Sequence, residues 1–218
     1  MASDYAVIFD MDGVIFDSER RIADLWREVA EEKKIPDIEV AVKRSIGITD
    51  AATRQVFKEL YGDDFPYAEY KKIVSTRFHA KYDNGNLPTK PGIKELLVFL
   101  HENKVPTAVA SSTRTAVVEA EIRDAGLLPY FDRIIGGDTV THSKPDPEIF
   151  QKTADALNTK PENCYVIEDS FNGIRAAHAA GMHPIMVPDM LEPDEEIRAL
   201  YEEIFPSLME VRNYFEEK

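Results

Sequence analysis

The chain has 218 residues, 44% hydrophobic and 30% charged, with 10 Gly and 13 Pro, which suits one large domain or a core domain with an insertion and excludes disordered and fibrous chains. With 26 basic against 40 acidic residues and a formal net charge of −14, it offers no basic face for nucleic acid, although a small anion beside a bound cation remains compatible. No apolar run reaches the ~18 residues of a membrane helix, the opening MASDYAVIFDMDG is acidic where a secretory signal is basic, and the lone Cys164 excludes a disulfide framework: a cytoplasmic, monomeric enzyme or binding protein with no membrane or nucleic-acid partner is expected.

In chain order, residues 5–9 form the first apolar run and read as a buried strand. No convincing strand follows until after residue 90. Ile22, Leu25, Trp26 and Val29 fall at i, i+3, i+4 and i+7, and the stretches around 53–60 and 67–82 repeat that amphipathic pattern. Trp26 is expected to anchor packing there. Residues 13–18 lead into this segment and 83–92 lead out, where Asn84, Gly85, Pro88, Pro91 and Gly92 suit a two-part hinge. A helix with Ile93, Leu96, Leu97 and Leu100 on one face comes next, and then short apolar runs at 106–110, 133–135, 165–167 and 184–187 alternate with helical periods. Cys164 reads as a small buried residue beside one of these strands. Such alternation predicts a parallel sheet covered on both faces. The closing stretch 191–218, acidic and apolar by turns and broken at Pro206, reads as helix. The expected fold is α/β, a doubly wound parallel sheet formed by 1–16 and 88–218, with a helical unit inserted at 17–87.

Chemistry gathers at the predicted strand ends. Asp10-Met11-Asp12-Gly13 closes the first strand, and two carboxylates at i and i+2 on extended backbone project to one side, while Gly13 lets the chain turn away. Held that close, the pair calls for a divalent cation or a shared proton. Ser111 and Ser112 follow the second strand, Lys144 lies in Ser-Lys-Pro-Asp-Pro beyond the third, and Glu168 and Asp169 end the fourth. Open α/β sheets build their sites at those positions.

With DMDGVIFDS, the ASS after the second strand, SKPDPEIF and VIEDSFNGI in that order, the chain resembles the haloacid dehalogenase superfamily, in particular its β-phosphoglucomutase-like phosphatases, over nearly its whole length. The resemblance implies a Rossmann-like core with strand order 5-4-1-2-3 and a helical cap where the insertion lies. It further implies that Asp10 is the nucleophile attacking phosphorus, that Asp12 is the general acid and base, and that Mg²⁺ is held by Asp10, the Asp12 carbonyl and Asp169, with Glu168 a ligand or a support. Ser111 and Ser112 are then expected to hold phosphoryl oxygens and Lys144 to supply positive charge, with Arg114, Thr49 and Arg54 as candidate substrate contacts. Asn172 is expected to orient a carboxylate or cap its own helix. The five histidines show no metal-ligand spacing.

The implied activity is Mg²⁺-dependent hydrolysis of a small phosphomonoester, a sugar phosphate, through an aspartyl phosphate. The rival reading is a β-phosphoglucomutase. Mutases use a cap histidine and a phosphate-binding arginine, where this chain aligns Ile22 and Asp50; Arg44 or Arg54 would have to compensate. Dehalogenases and phosphonatases lack the second Asp that Asp12 supplies, and a signalling receiver domain carries no cap insertion.

Overall fold

The computed structural model describes residues 3–48 and 50–218. β1 (Ala6–Phe9) leads into a four-helix insertion, α1 (Ser18–Lys33), α2 (Ile38–Ser45), α3 (Asp50–Tyr61) and α4 (Tyr67–Tyr82). The chain then alternates through α5 (Ile93–Glu102), β2 (Thr107–Ser111), α6 (Thr115–Asp124), β3 (Arg133–Gly136), α7 (Glu148–Leu157), β4 (Cys164–Glu168), α8 (Phe171–Ala179) and β5 (His183–Met186). It closes with α9 (Glu195–Arg198), β6 (Glu203–Ile204) and α10 (Leu208–Glu216).

The six strands pair in parallel in the order β3-β2-β1-β4-β5-β6. Successive side chains of a strand point to opposite faces, and the two cores obey that period. Val7, Phe9, Val109, Ile167 and Ile185 meet Leu96, Leu97, Leu100, Val118, Ile122 and Val211 of α5, α6 and α10 on one face. On the other, Ala6, Ile8, Ala110 and Val166 meet Ile149, Phe150 and Ala154 of α7 and Ala176 and Ala177 of α8. All four side chains of β1 are buried, which is why it reads as an unbroken apolar run. Cys164 opens β4 and is buried. Among the described residues, no helix is long and apolar enough to cross a membrane.

The closing stretch departs from expectation. Instead of helix throughout, Glu202 N–H donates to Pro184 O at 2.9 Å and Phe205 N–H to Met186 O at 2.9 Å, so Glu203 and Ile204 add a sixth strand at the sheet edge. Both side chains are exposed, as suits a short charged edge, and two residues are too few to show a period of two.

α1 to α4 enclose an apolar core of their own, including Leu25, Trp26, Val29, Val42, Phe57 and Tyr67. Trp26 packs as expected, its ring centroid 4.7 Å from that of Phe57 and 6.0 Å from that of Tyr67. α2, with Ile38, Ala41 and Val42 buried, is one helix more than the periodicity singled out. The two linkers run side by side: Phe16 bridges to Asp12 and Thr89, Asp17 N–H donates to Pro88 O at 2.9 Å, and Lys90 N–H to Ile15 O at 2.8 Å.

Candidate active site

Register builds the site. Phe9 pairs with Val109 on β2 and Ile167 on β4, and Asp10 N–H donates to Ile167 O at 3.0 Å. The next residue of each strand therefore brings Asp10 beside Ala110, Ser111, Glu168 and Asp169 at the point where strand order reverses. Lys144 reaches in from the loop after β3. Its buried ammonium donates to Asp10 Oδ1 at 2.5 Å, to Glu168 Oε1 at 2.7 Å and to Ala110 O at 3.2 Å. Burial pulls the Lys144 amine down, but Asp10 and Glu168 outweigh it and hold its pKa above the usual lysine value.

Asp12 has different partners. Ser18, at the start of α1, donates to its Oδ1 at 2.6 Å, and the Thr113 side chain donates to it as well. Burial raises the Asp12 pKa, and these two donors pull it back. Burial likewise drives Asp10 well above the carboxylate range despite Lys144, and Asp169 rises for the same reason, with Glu19, Glu168 and Asp10 adding to it. One lysine therefore does not neutralise this pocket. Carboxylate oxygens of Asp10, Glu168 and Asp169 lie within 4.8 Å of one another, an all-oxygen donor set of the sort that hard divalent cations take.

Glu168 is largely spoken for. Its Oε2 accepts from Asp169 N–H at 3.1 Å, Ser170 N–H at 3.0 Å and Ser170 Oγ at 2.9 Å, while Oε1 takes Lys144. Its back is pressed against α8 so closely that a Cβ on Gly173 would stand 1.7 Å from Oε1. Gly13 is fixed by the same crowding: its φ is +80° and a Cβ there would lie 2.1 Å from Asp169 Oδ2.

Ser111 is buried at the end of β2, its Oγ accepting from Thr113 N–H at 3.1 Å. Ser112 and Arg114 lie nearby on the surface. Arg54 is not brought to this site: it is exposed, its guanidinium over the Tyr67 ring, in a separate cleft with Lys58 and Asp63. Arg44 turns outward to Glu59 at 2.6 Å. Thr49 falls outside the described residues. Asn172 neither orients a carboxylate nor caps α8, since Ser170 does both jobs; its Nδ2 crosses to the insertion and donates to Gly47 O at 2.9 Å.

Sequence reasoning missed Ser18, Thr113 and Lys71. Lys71 faces a cavity of about 390 Å³ inside the helical insertion, lined also by Ile22, Trp26, Asp50, Phe57, Tyr67 and His79. Among the described lining residues the basic groups are already matched, Lys71 by Asp50 at 2.5 Å and His79 by Asp83 at 3.0 Å.

The model of the haloacid dehalogenase-like hydrolases matches residues 6–181. The chain belongs to that family. It is an enzyme of the phosphoric monoester hydrolase kind. A phosphorylated carbohydrates phosphatase of Thermotoga maritima is 34% identical over 180 residues, covering 83% of each chain. A β-phosphoglucomutase of Bacillus subtilis is 32% identical over 190 residues, covering 84% of this chain and 82% of the other. Among solved structures, a HAD family hydrolase from Deinococcus radiodurans, determined with bound phosphate and sodium, superposes with a TM-score of 0.81 at 28% identity and covers all of this chain and 97% of that one.

Proposed function

We propose that this hydrolase is a divalent-metal-dependent phosphatase of small phosphorylated metabolites, sugar phosphates foremost, acting through an aspartyl phosphate on Asp10. The observation that carries the reading is the unequal treatment of two neighbouring carboxylates: Asp10 is tied through Oδ1 to Lys144, whereas Asp12 is held by the hydroxyls of Ser18 and Thr113. That division suits a nucleophile and a proton carrier. Asp10 and Asp169 would hold Mg²⁺ with the Asp12 carbonyl, and the ion would supply positive charge to the phosphoryl oxygens. Glu168, saturated by four donors, supports Lys144 and the turn at Asp169 and is not a direct ligand in this reading.

Asp10 Oδ2, the oxygen not bound by Lys144, attacks phosphorus in line with the ester oxygen, and the P–O bond to the alcohol breaks as Asp12 gives that oxygen its proton. Asp12, now ionised, takes a proton from the water that attacks the aspartyl phosphate; inorganic phosphate leaves and Asp10 returns. Ser111 and the amides that follow it steady the phosphoryl oxygens, and Lys144 balances their charge. Residues 17–87 act as a cap whose cavity receives the leaving group, and Ser112 and Arg114, exposed beyond the end of β2, are the core's further substrate contacts in this reading.

A phosphatase is favoured over a mutase by the pairing of Lys71 with Asp50 and of His79 with Asp83, which leaves no unmatched basic group for a second phosphate among the described residues that line the cavity. The relative that acts on phosphorylated carbohydrates supports the substrate class. Phosphate release should be measured over sugar phosphates, polyol phosphates, phosphoglycolate and nucleotides, with Mg²⁺ and with chelator. We expect Mg²⁺-dependent release from monophosphates without a bisphosphate activator. Rapid conversion of β-glucose 1-phosphate to glucose 6-phosphate, dependent on the 1,6-bisphosphate and releasing no phosphate, would install the mutase instead.

A further inference from the structure

Asp169 belongs to a second acidic cluster that the mechanism above does not use. Carboxylate oxygens of Glu19, Asp169 and Asp189 lie within 4.8 Å of one another. They come from three elements: Glu19 from the first turn of α1, Asp169 from the end of β4 and Asp189 from the loop after β5.

What distinguishes this cluster from an ordinary acidic surface is a pair of stranded oxygens. The Asp189 side chain is 1% exposed. Its Oδ1 accepts from Lys90 Nζ at 2.7 Å and from Arg20 Nη2 at 2.9 Å, while its Oδ2 is buried and has no hydrogen-bond partner. Glu19 accepts the N–H of Gly47, and its Oε2 is likewise buried and unpartnered. A buried acceptor without a donor forfeits its hydration with nothing in return. The neighbouring members of the cluster are carboxylates, which when ionised only accept. A ligand that brings donors and positive charge together answers both needs, and a hydrated divalent cation is such a ligand. Mg²⁺ in particular gives up its waters reluctantly and keeps several of them when bound to one or two carboxylates.

We propose that Glu19 and Asp189 form the outer wall of the metal centre, their unpartnered oxygens receiving hydrogen bonds from water molecules coordinated to the cation that Asp169 binds. They are positioning residues: neither touches the reacting phosphoryl group. This inference rests on the metal assignment made above. Groups that hold a metal's other ligands commonly account for 10- to 100-fold in affinity. Because Glu19 also holds Gly47, the same carboxylate joins the metal's water shell to the loop between α2 and α3, so metal and loop should favour each other's bound positions.

The test is metal binding by the full chain, read by calorimetry and by the electron paramagnetic resonance of free Mn²⁺, with Mn²⁺ alone as the probe. Wild type should bind one Mn²⁺. Glu19→Gln, Asp189→Asn and the charge-conserving Glu19→Asp, which withdraws the oxygen by one methylene, should each weaken binding about tenfold while the stoichiometry stays at one. Lys90→Gln removes a cation near the site and should leave Mn²⁺ affinity equal or higher; if Asp189 served only to hold Lys90, the affinity would fall. Metal-free melting curves establish that each variant is folded, and the two positions are independent, so a loss of fold at one leaves the other decisive. Wild-type affinity in Glu19→Asp would overturn the proposal, because charge alone would then account for any effect of Glu19→Gln. Two Mn²⁺ bound to wild type, one of them lost in these variants, would overturn it in favour of a directly coordinated second ion. Failure of wild type to bind Mn²⁺, or binding that survives Asp169→Asn, would instead defeat the metal assignment itself.

Discussion

Asp10 and Asp12 stand two residues apart and answer to different partners, Lys144 for one and Ser18 with Thr113 for the other. Asp10→Asn should abolish turnover with the fold intact, since an amide does not form the acyl phosphate. Asp12→Asn should lose at least about 100-fold in kcat, the scale of general acid–base catalysis; steady-state phosphate release decides both, and more than a tenth of wild-type activity in either would contradict the assignment. Gly173 offers a stability counterpart. A methyl group there would lie 1.7 Å from Glu168 Oε1, so Gly173→Ala should force Glu168 off Lys144 and lower stability by about 1–3 kcal/mol, the range for overpacking, measured by denaturant unfolding. The carboxylates were legible because a strand end writes them into adjacent letters. Ser18 and Thr113 were not, because their bonds to Asp12 cross between the core and α1 and between β1 and β2, and neighbouring letters carry no trace of such a meeting. Arg54 shows the converse: its charge is conspicuous in the sequence, but α3 turns it to solvent over Tyr67, away from the carboxylates.

At the scale of elements, the start of α8 touches both halves of the chain. Ser170 caps the helix and holds Glu168, while Asn172, two residues on, holds the carbonyl of Gly47 in the α2–α3 loop. Gly47 itself has a φ of +67°, and a Cβ there would come within 3.0 Å of Ser170 Cβ, so the loop comes this close only because it carries no side chain. Asn172→Ala should lower kcat/KM about two- to tenfold for a substrate large enough to fill the insertion's cavity, the worth of one hydrogen bond. It should leave the hydrolysis of a minimal substrate such as acetyl phosphate unchanged. An equal loss on both substrates would place Asn172 in the chemistry itself. The alternation of buried strands and helices made the central sheet readable, since β1, β2 and β4 are each four or five residues buried throughout and built around an apolar run. β6 escaped because its two residues are Glu and Ile, both exposed, and only the free edge of β5 makes a strand of them.

Across the whole molecule, acidic excess meets itself at the seam between insertion and core. Glu121 on α6 is half-buried, and burial first, then Asp12 and Asp83, push its pKa up to about 7, with His79 opposing and Asp124 adding to the rise. A carboxyl raised in the folded state stabilises the fold fully below its ordinary pKa and loses that contribution as pH climbs through the folded value. In chelator, Glu121 should therefore make the wild-type melting temperature fall between about pH 4.5 and pH 7, and Glu121→Gln should flatten that fall while matching wild type at and below pH 4.5; an equally steep fall in the variant would clear Glu121 of the effect. The insertion rides above this seam on linkers that are not independent. Phe16 is bridged to Thr89, and backbone bonds at Asp17 and Lys90 tie the two strands of the crossing together. Mechanically, such a crossing is a single pin and not a pair of cords. It removes the twisting and sliding that two free tethers would permit and leaves one swing, in which displacement grows with distance from the pin. A small change in backbone angle at Phe16 and Thr89 then carries Gly47 off the core, and each return delivers it to the same place, against Ser170.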